Sequence, residues 1–92
     1  MIIGFKHRGL QRFYEKDDRR RLNPEHVQKI KTILSMLDVA ERPDEMAVAS
    51  FRFHALTGNK QGVYSVTVRA NWRITFKFER GNAYDVNLED YH

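Results

Sequence analysis

The spacing of apolar residues changes once along the chain, and the change separates a helical half from a β half. Leu10, Phe13 and Tyr14 stand at i, i+3 and i+4 and predict a helix over about residues 9–16. Asp17-Asp18-Arg19-Arg20-Arg21 follows as a charged loop. Asn23-Pro24-Glu25 marks a second helix start, with Asn as cap, Pro at the first helical position and Glu in the first turn. Val27, Ile30, Ile33, Leu34 and Leu37 then form an apolar stripe, and Gln28, Lys29, Lys31 and Thr32 a wet one, so the helix runs to about Ala40, ahead of Pro43. The acidic stretch from Arg42 to Ser50 reads as a connector with room for one helical turn.

After residue 51 the period becomes two, the signature of half-buried strands. Phe51 to Leu56, Val63 to Arg69, Arg73 to Glu79 and Ala83 to Leu88 each alternate, and Ile2-Ile3 adds a short strand at the start. The separators Thr57 to Gly62, Ala70-Asn71 and Arg80-Gly81-Asn82 are turn formers. Short turns imply an antiparallel meander, and alternation implies one face on a core and one in water. The expected fold class is α+β, with two N-terminal helices packed on one face of a mainly antiparallel four- to five-stranded sheet. A chain of 92 residues is read as a single domain over residues 1–92.

Alternation also assigns sides. Phe51 and Phe53, then Tyr64, Val66 and Val68, then Ile74, Phe76 and Phe78 form the core sets. Arg52 and His54, then Ser65, Thr67 and Arg69, then Arg73, Thr75 and Lys77 point outward. The open face thus gathers Arg52, His54, Arg69, Arg73 and Lys77, a basic surface that carries a histidine. Such a face suits phosphate, although long charged side chains on a solvated sheet also suppress edge pairing.

Charge sharpens this picture. The chain has 16 Lys and Arg against 12 Asp and Glu, a net charge of +4. Residues 1–37 carry nine basic and four acidic side chains, residues 38–50 one and four, and residues 51–92 six and four. A small basic domain favours polyanions, RNA or DNA first. Arg19-Arg20-Arg21 with Lys29 and Lys31 forms a second basic cluster, suited to gripping structured RNA. The absence of cysteine excludes disulfides and thiolate metal sites. No apolar run approaches the roughly 20 residues of a membrane span, and no signal peptide is read at the start, so the expected location is the cytoplasm.

Four segments together resemble a family. Ser65-Val66-Thr67-Val68-Arg69-Ala70-Asn71-Trp72-Arg73-Ile74-Thr75-Phe76 resembles the S-[IV]-x-V-x-x-N-W-R-[IL]-x-F core of HigB-type toxins, a branch of the RelE/ParE superfamily. Glu89-Asp90-Tyr91-His92 resembles their closing D-Y-H, Phe5-Lys6-His7-Arg8-Gly9-Leu10 their F-x-x-K/R-G-L start, and Arg52-Phe53-His54-Ala55-Leu56-Thr57-Gly58 their R-L-H-P-L-K-G segment. The resemblance spans the whole chain. It implies a microbial RNase fold and a toxin of a type II toxin–antitoxin system that cleaves translated messenger RNA in the decoding site of the small ribosomal subunit, without metal or other cofactor. It also implies a HigA-type helix-turn-helix antitoxin as partner.

The residues carried over as catalytic are His54, Arg73, Asp90, Tyr91 and His92. Arg19, Arg20, Arg21, Lys29, Lys31, Arg52, Lys60, Arg69 and Lys77 are the expected contacts to RNA and ribosome. The chain departs from the family pattern at Thr57, where a lysine is usual, and at Ala55, where a proline is usual; Lys60 stands in the same turn as a replacement charge. Metal-free RNA cleavage needs a base for the 2′-hydroxyl, an acid for the leaving 5′-oxygen and positive charge on the phosphate. The two histidines suit either proton role, Asp90 a base or an orienting group, Tyr91 a hydrogen bond or a stacking surface, and Arg73 the phosphate clamp. The sequence also admits a gyrase-inhibiting toxin of the ParE branch on the same fold, or a non-catalytic RNA-binding module.

Overall fold

A computed structural model describes residues 1–91; His92 lies outside the described residues. Helix α1 spans Arg8–Lys16 and α2 spans Val27–Val39, the latter entered through a 3₁₀ turn at Pro24–His26. Two further 3₁₀ turns, Pro43–Met46 and Ala49–Phe51, lead into β1 (His54–Ala55). Strands β2 (Tyr64–Arg69), β3 (Trp72–Glu79) and β4 (Asn82–Asp90) follow, and the four strands form an antiparallel sheet in the order β1-β2-β3-β4. Both helices contribute to a core on one face of this sheet, as the α+β reading expects. Leu10, Ile30, Ile33 and Leu37 from the helices and Val66, Ile74, Phe76 and Val86 from the sheet are 0% exposed. Each such side chain contributes about 1.5–3 kcal/mol by leaving water.

The far edge of β4 is occupied as well. Ile2 and Phe5 form parallel bridges to Ala83 and Val86, so residues 1–6 act as a fragmentary fifth strand. Asp38 ties this segment to both helices. Its Oδ1 accepts from the Ile2 N–H at 3.0 Å and from the Tyr14 hydroxyl at 2.6 Å. The Tyr14 bond, then the Ile2 bond, hold the Asp38 carboxyl below its ordinary value, and the same Asp38 bond pushes the Tyr14 hydroxyl up to about 12.

Helix α1 starts on a histidine. The Leu10 N–H donates to His7 Nδ1 at 3.1 Å, a bond that only a neutral ring accepts at that nitrogen. Burial, and then the Arg21 charge, push the His7 imidazole below its ordinary value and favour that form. The ring lies against Gly9, where a Cβ would stand 2.8 Å from His7 Cε1 and 3.0 Å from Arg21 Cβ.

Three departures from the sequence pattern bear on the site. The stretch 51–56 forms a strand only at His54–Ala55. Arg52 sits in the left-handed region at φ 48°, so the chain turns there. Phe51 still enters the core, while Phe53 packs against it and stacks on Tyr64 at 5.7 Å, so side-chain burial follows the alternation although the backbone does not. The β2–β3 register slips between Thr67 and Arg69. The β3–β4 register slips between Thr75 and Lys77, beside Asp85 at φ 51°. That bulge lets Ala83 and Val86, three apart, both enter the core.

Candidate functional site: a basic cavity on the open sheet face

Cross-strand register builds the site. His54 pairs with Ser65, Ser65 with Thr75 and Thr75 with Asn87, which makes one row across the open face. Thr67, Arg73 and Glu89 make the next row. Both rows alternate with buried Val66 and Ile74, so their side chains stand on the face away from the helices.

Arg73 dominates this face. Its side chain is 13% exposed, and its Nε donates to Glu89 Oε1 at 2.9 Å while Nη2 lies 2.8 Å from the same oxygen. The guanidinium also sits over the Tyr91 ring, 4.2 Å from the centroid. Tyr91 is held there by its own N–H, which donates to the Asn71 carbonyl at 2.7 Å in the β2–β3 turn. A cavity of about 310 Å³ opens beside this pair, with Arg52, His54, Arg73 and Tyr91 among its lining side chains and Ser65 and Thr67 on its floor. His54 Nδ1 contacts the carbonyl of Arg52, which orients the ring through its own local backbone. Lys60 Nζ lies 3.9 Å from the Glu89 oxygen that holds Arg73, at the rim of the same arrangement.

Other expected residues lie elsewhere. Strict alternation from Ser65 and Thr67 puts Arg69 on the open face. The slip after Thr67 instead pairs it with Trp72, on the opposite side of the sheet from Arg73, and its Nη1 binds Glu25 Oε2 at 2.8 Å. Asp90 also pairs with Trp72 and alternates with Glu89, which separates its position in the pleat from the Arg73 row. Lys77 keeps the Arg73 side of β3 but lies further along it, with Nζ 3.8 Å from Asp85 Oδ2.

The helical basic cluster is not part of this cavity. Arg20 grips Asp18 at 2.9 Å, Arg19 reaches Asp17 at 3.3 Å, and Arg21 packs by Gly9. The Arg20 hydrogen bonds hold the Asp18 carboxyl well below the usual carboxylate range. Lys29 donates to the Ser50 carbonyl at 3.1 Å, over the Phe51 ring. Lys31 borders a larger hollow of about 630 Å³ between α1 and α2, which offers Tyr14 and Asp38 but no imidazole. Among the described residues no three of His, Cys, Asp or Glu are grouped to hold a metal ion, and no helix is long and apolar enough to cross a membrane.

Glu89 is the site residue that sequence reasoning passed over. Its signal is present but faint: it stands on the strand face of Arg73 only once the β3–β4 pairing is known.

Two helices on one face of an open antiparallel sheet, with a basic, histidine-bearing cavity on the other face, define a small α+β domain of the RelE-like kind. Sequence comparison narrows the class. Residues 3–92 match the family model described as "RelE-like toxin of type II toxin-antitoxin system HigB". The chain is 42% identical over 92 residues to the protein named Endoribonuclease HigB of Proteus vulgaris, covering 100% of both. It is 31% identical over 93 residues to Toxin HigB-1 of Vibrio cholerae serotype O1, covering 99% of this chain and 98% of that one. The chain belongs to the HigB-like family of RelE-like toxins, and as a toxin of that kind it has an antitoxin partner.

Proposed function

We propose that this toxin is an endoribonuclease that cuts messenger RNA presented by the ribosome. The observation that carries the reading is the cavity in which His54, Arg52, Arg73 and Tyr91 converge on the open sheet face. A phosphodiester in it meets a guanidinium already held flat and partly dehydrated, a state in which its charge acts more strongly than in bulk water. His54, exposed at the rim, exchanges protons with the 2′-hydroxyl or the leaving 5′-oxygen. Attack by the 2′-oxygen on phosphorus expels the 5′-oxygen and leaves a 2′,3′-cyclic phosphate. The Tyr91 ring offers a stacking surface for a base, and Ser65 and Thr67 offer hydroxyls to the backbone.

The resemblance assigns His92 and Asp90 to the same chemistry. His92 serves as the complementary acid or base to His54, and Asp90 orients a ring or takes a proton. The small set of groups is the argument for the ribosome. A messenger fixed in pose supplies orientation that a free strand lacks, an effect worth several kcal/mol of barrier, on the order of 7 or more in well-aligned cases. Arg19, Arg20, Arg21, Lys29, Lys31, Arg69 and Lys77, spread over other surfaces, are the proposed grips on ribosomal RNA; Arg52 and Lys60 serve the messenger. The partner antitoxin is of the HigA helix-turn-helix type.

Primer extension on messenger RNA from cells expressing the toxin alone tests the reading. Cuts inside translated codons are expected. Cleavage of purified naked messenger as fast as of ribosome-bound messenger would remove the ribosome from the proposal, and intact messenger with inhibited gyrase would replace the activity altogether.

A further inference from the structure

We infer that Glu89 is a positioning residue for Arg73: its carboxylate fixes which edge of the guanidinium faces the cavity. The inference rests on the reading of the cavity as an RNA-cleaving site. A guanidinium has five N–H donors and two edges able to bind phosphate in bidentate fashion. Glu89 Oε1 takes the Nε and Nη2 side at 2.9 and 2.8 Å, and Tyr91 covers one face of the plane at 4.2 Å. Donors on Nη1 and the outer side of Nη2 are left to meet a phosphate. Glu89 is part-buried and held in register opposite Arg73 by the β3–β4 ladder, so its carboxylate is itself a fixed reference.

The same carboxylate opposes RNA. It stands within 2.8 Å of the cation meant for phosphate and 3.9 Å from Lys60, and it lowers the positive potential that draws in a polyanion. A carboxylate retained there trades binding strength for orientation. This gives Glu89 a signature that a merely structural residue lacks. Its neutralisation moves affinity and rate in opposite directions.

Glu89→Gln tests this on programmed ribosomes, with wild type alongside. At saturating toxin the single-turnover cleavage rate is expected to fall at least roughly tenfold, while half-saturation moves to lower toxin concentration. The Arg73 Nε–H, which donates to Glu89 at 2.9 Å, is expected to give a sharp, shifted resonance in the wild-type toxin and to broaden or move toward free arginine in Glu89→Gln. A wild-type rate at saturation, an unmoved Arg73 resonance, or a fall in rate matched by weaker binding would overturn the inference. Should Glu89→Gln lower the melting temperature enough to compromise folding, Glu89→Asp replaces it: the charge is kept, the reach is one methylene shorter, and the same rate loss without tighter binding is expected. A wild-type toxin that cleaves nothing on ribosomes defeats the functional reading instead, and the Arg73 resonance still decides the positioning claim.

Discussion

The guanidinium carbon of Arg73 stands 4.2 Å from the centre of the Tyr91 ring, so β3 and the segment that follows β4 meet at one stacked pair. Such a contact contributes roughly 0.5–2 kcal/mol depending on how dry it is. Under the proposed function it joins the guanidinium that would hold phosphate to the ring that would stack on a base. Arg73→Ala is therefore expected to lower the single-turnover rate on programmed ribosomes by roughly 10²–10³ at saturating toxin, with little change in ribosome affinity. A near wild-type rate at saturation, with binding that weakens more steeply in salt, would reduce Arg73 to a tether. A melting curve run beside it separates chemistry from folding, because the change leaves Glu89 facing Lys60 alone.

Lys60 is connected to Arg73 on the open sheet face through Glu89, and this bears on the departure at Thr57. Thr57 caps a 3₁₀ turn over Gly58–Lys60, whose lysine stands 3.9 Å from Glu89 Oε1. Lys60→Ala is expected to lower cleavage several-fold, and Thr57→Lys to leave it unchanged or raise it. An exposed pair of this length is worth on the order of 0–1 kcal/mol, so neither change should move the melting temperature appreciably. Rate measurements on ribosomes for the two variants and their combination check this. A large loss in Thr57→Lys would show that the turn serves another purpose.

How much was legible follows from which physics each feature needs. The helices, the sheet and the outward placement of His54 and Arg73 depend on local periodicity, and periodicity is visible in one chain. Arg69 and Asp90 depend on register. One extra residue after Thr67 is enough to turn Arg69 from the Arg73 side to Glu25, and no pattern within β2 announces it. The 51–56 stretch misleads for a related reason. Phe51 buries and Phe53 packs against the core as alternation implies, but Arg52 takes a left-handed conformation between them, which a hydrophobic pattern does not encode. Glu89 is missed because its partner lies 16 residues away, across a bulged pairing. The resemblance named candidate residues, and the sheet register shows which of the described ones stand together: His54, Arg73 and Tyr91 line one cavity, while Asp90 and Arg69 pair with Trp72.

Gly9 tests how tightly the start of α1 is packed. A Cβ there would stand 2.8 Å from His7 Cε1 and 3.0 Å from Arg21 Cβ. Alanine gains about 0.5–1 kcal/mol of helix preference over glycine. Against this, overpacking costs about 1–3 kcal/mol, and a displaced His7 loses its cap on Leu10, about 1 kcal/mol more. Gly9→Ala is expected to destabilise the fold by about 1–3 kcal/mol net, as denaturant melts would report. A variant more stable than wild type would mean that the imidazole moves aside freely.

Asp38 and Tyr14 give the fold a pH dependence whose sign can be worked out. The Asp38 carboxyl is held below its ordinary value, chiefly by the Tyr14 hydroxyl and then by the Ile2 N–H. A depressed carboxyl contributes stability that is present above its unfolded value, about pH 4, and is lost as pH falls through the folded one. Tyr14 is pushed up to about 12, so its contribution is complete below its unfolded value, about pH 10, and fades as pH rises toward the folded one. Between these limits the pair adds a constant term. Tyr14 is 37% exposed, so solvent screening keeps that term near 1 kcal/mol. Tyr14→Phe removes the hydroxyl and keeps the ring against Phe5 at 5.3 Å. The variant should melt below wild type near neutrality, and the gap should narrow as pH drops toward about 3, because wild type alone loses the bond between the hydroxyl and an ionised Asp38. The narrowing should be incomplete, since the Ile2 N–H still favours the ionised carboxyl in both proteins. A gap that stays constant from about pH 7 to about pH 3 would show that the hydroxyl acts on stability by some route other than Asp38 ionisation.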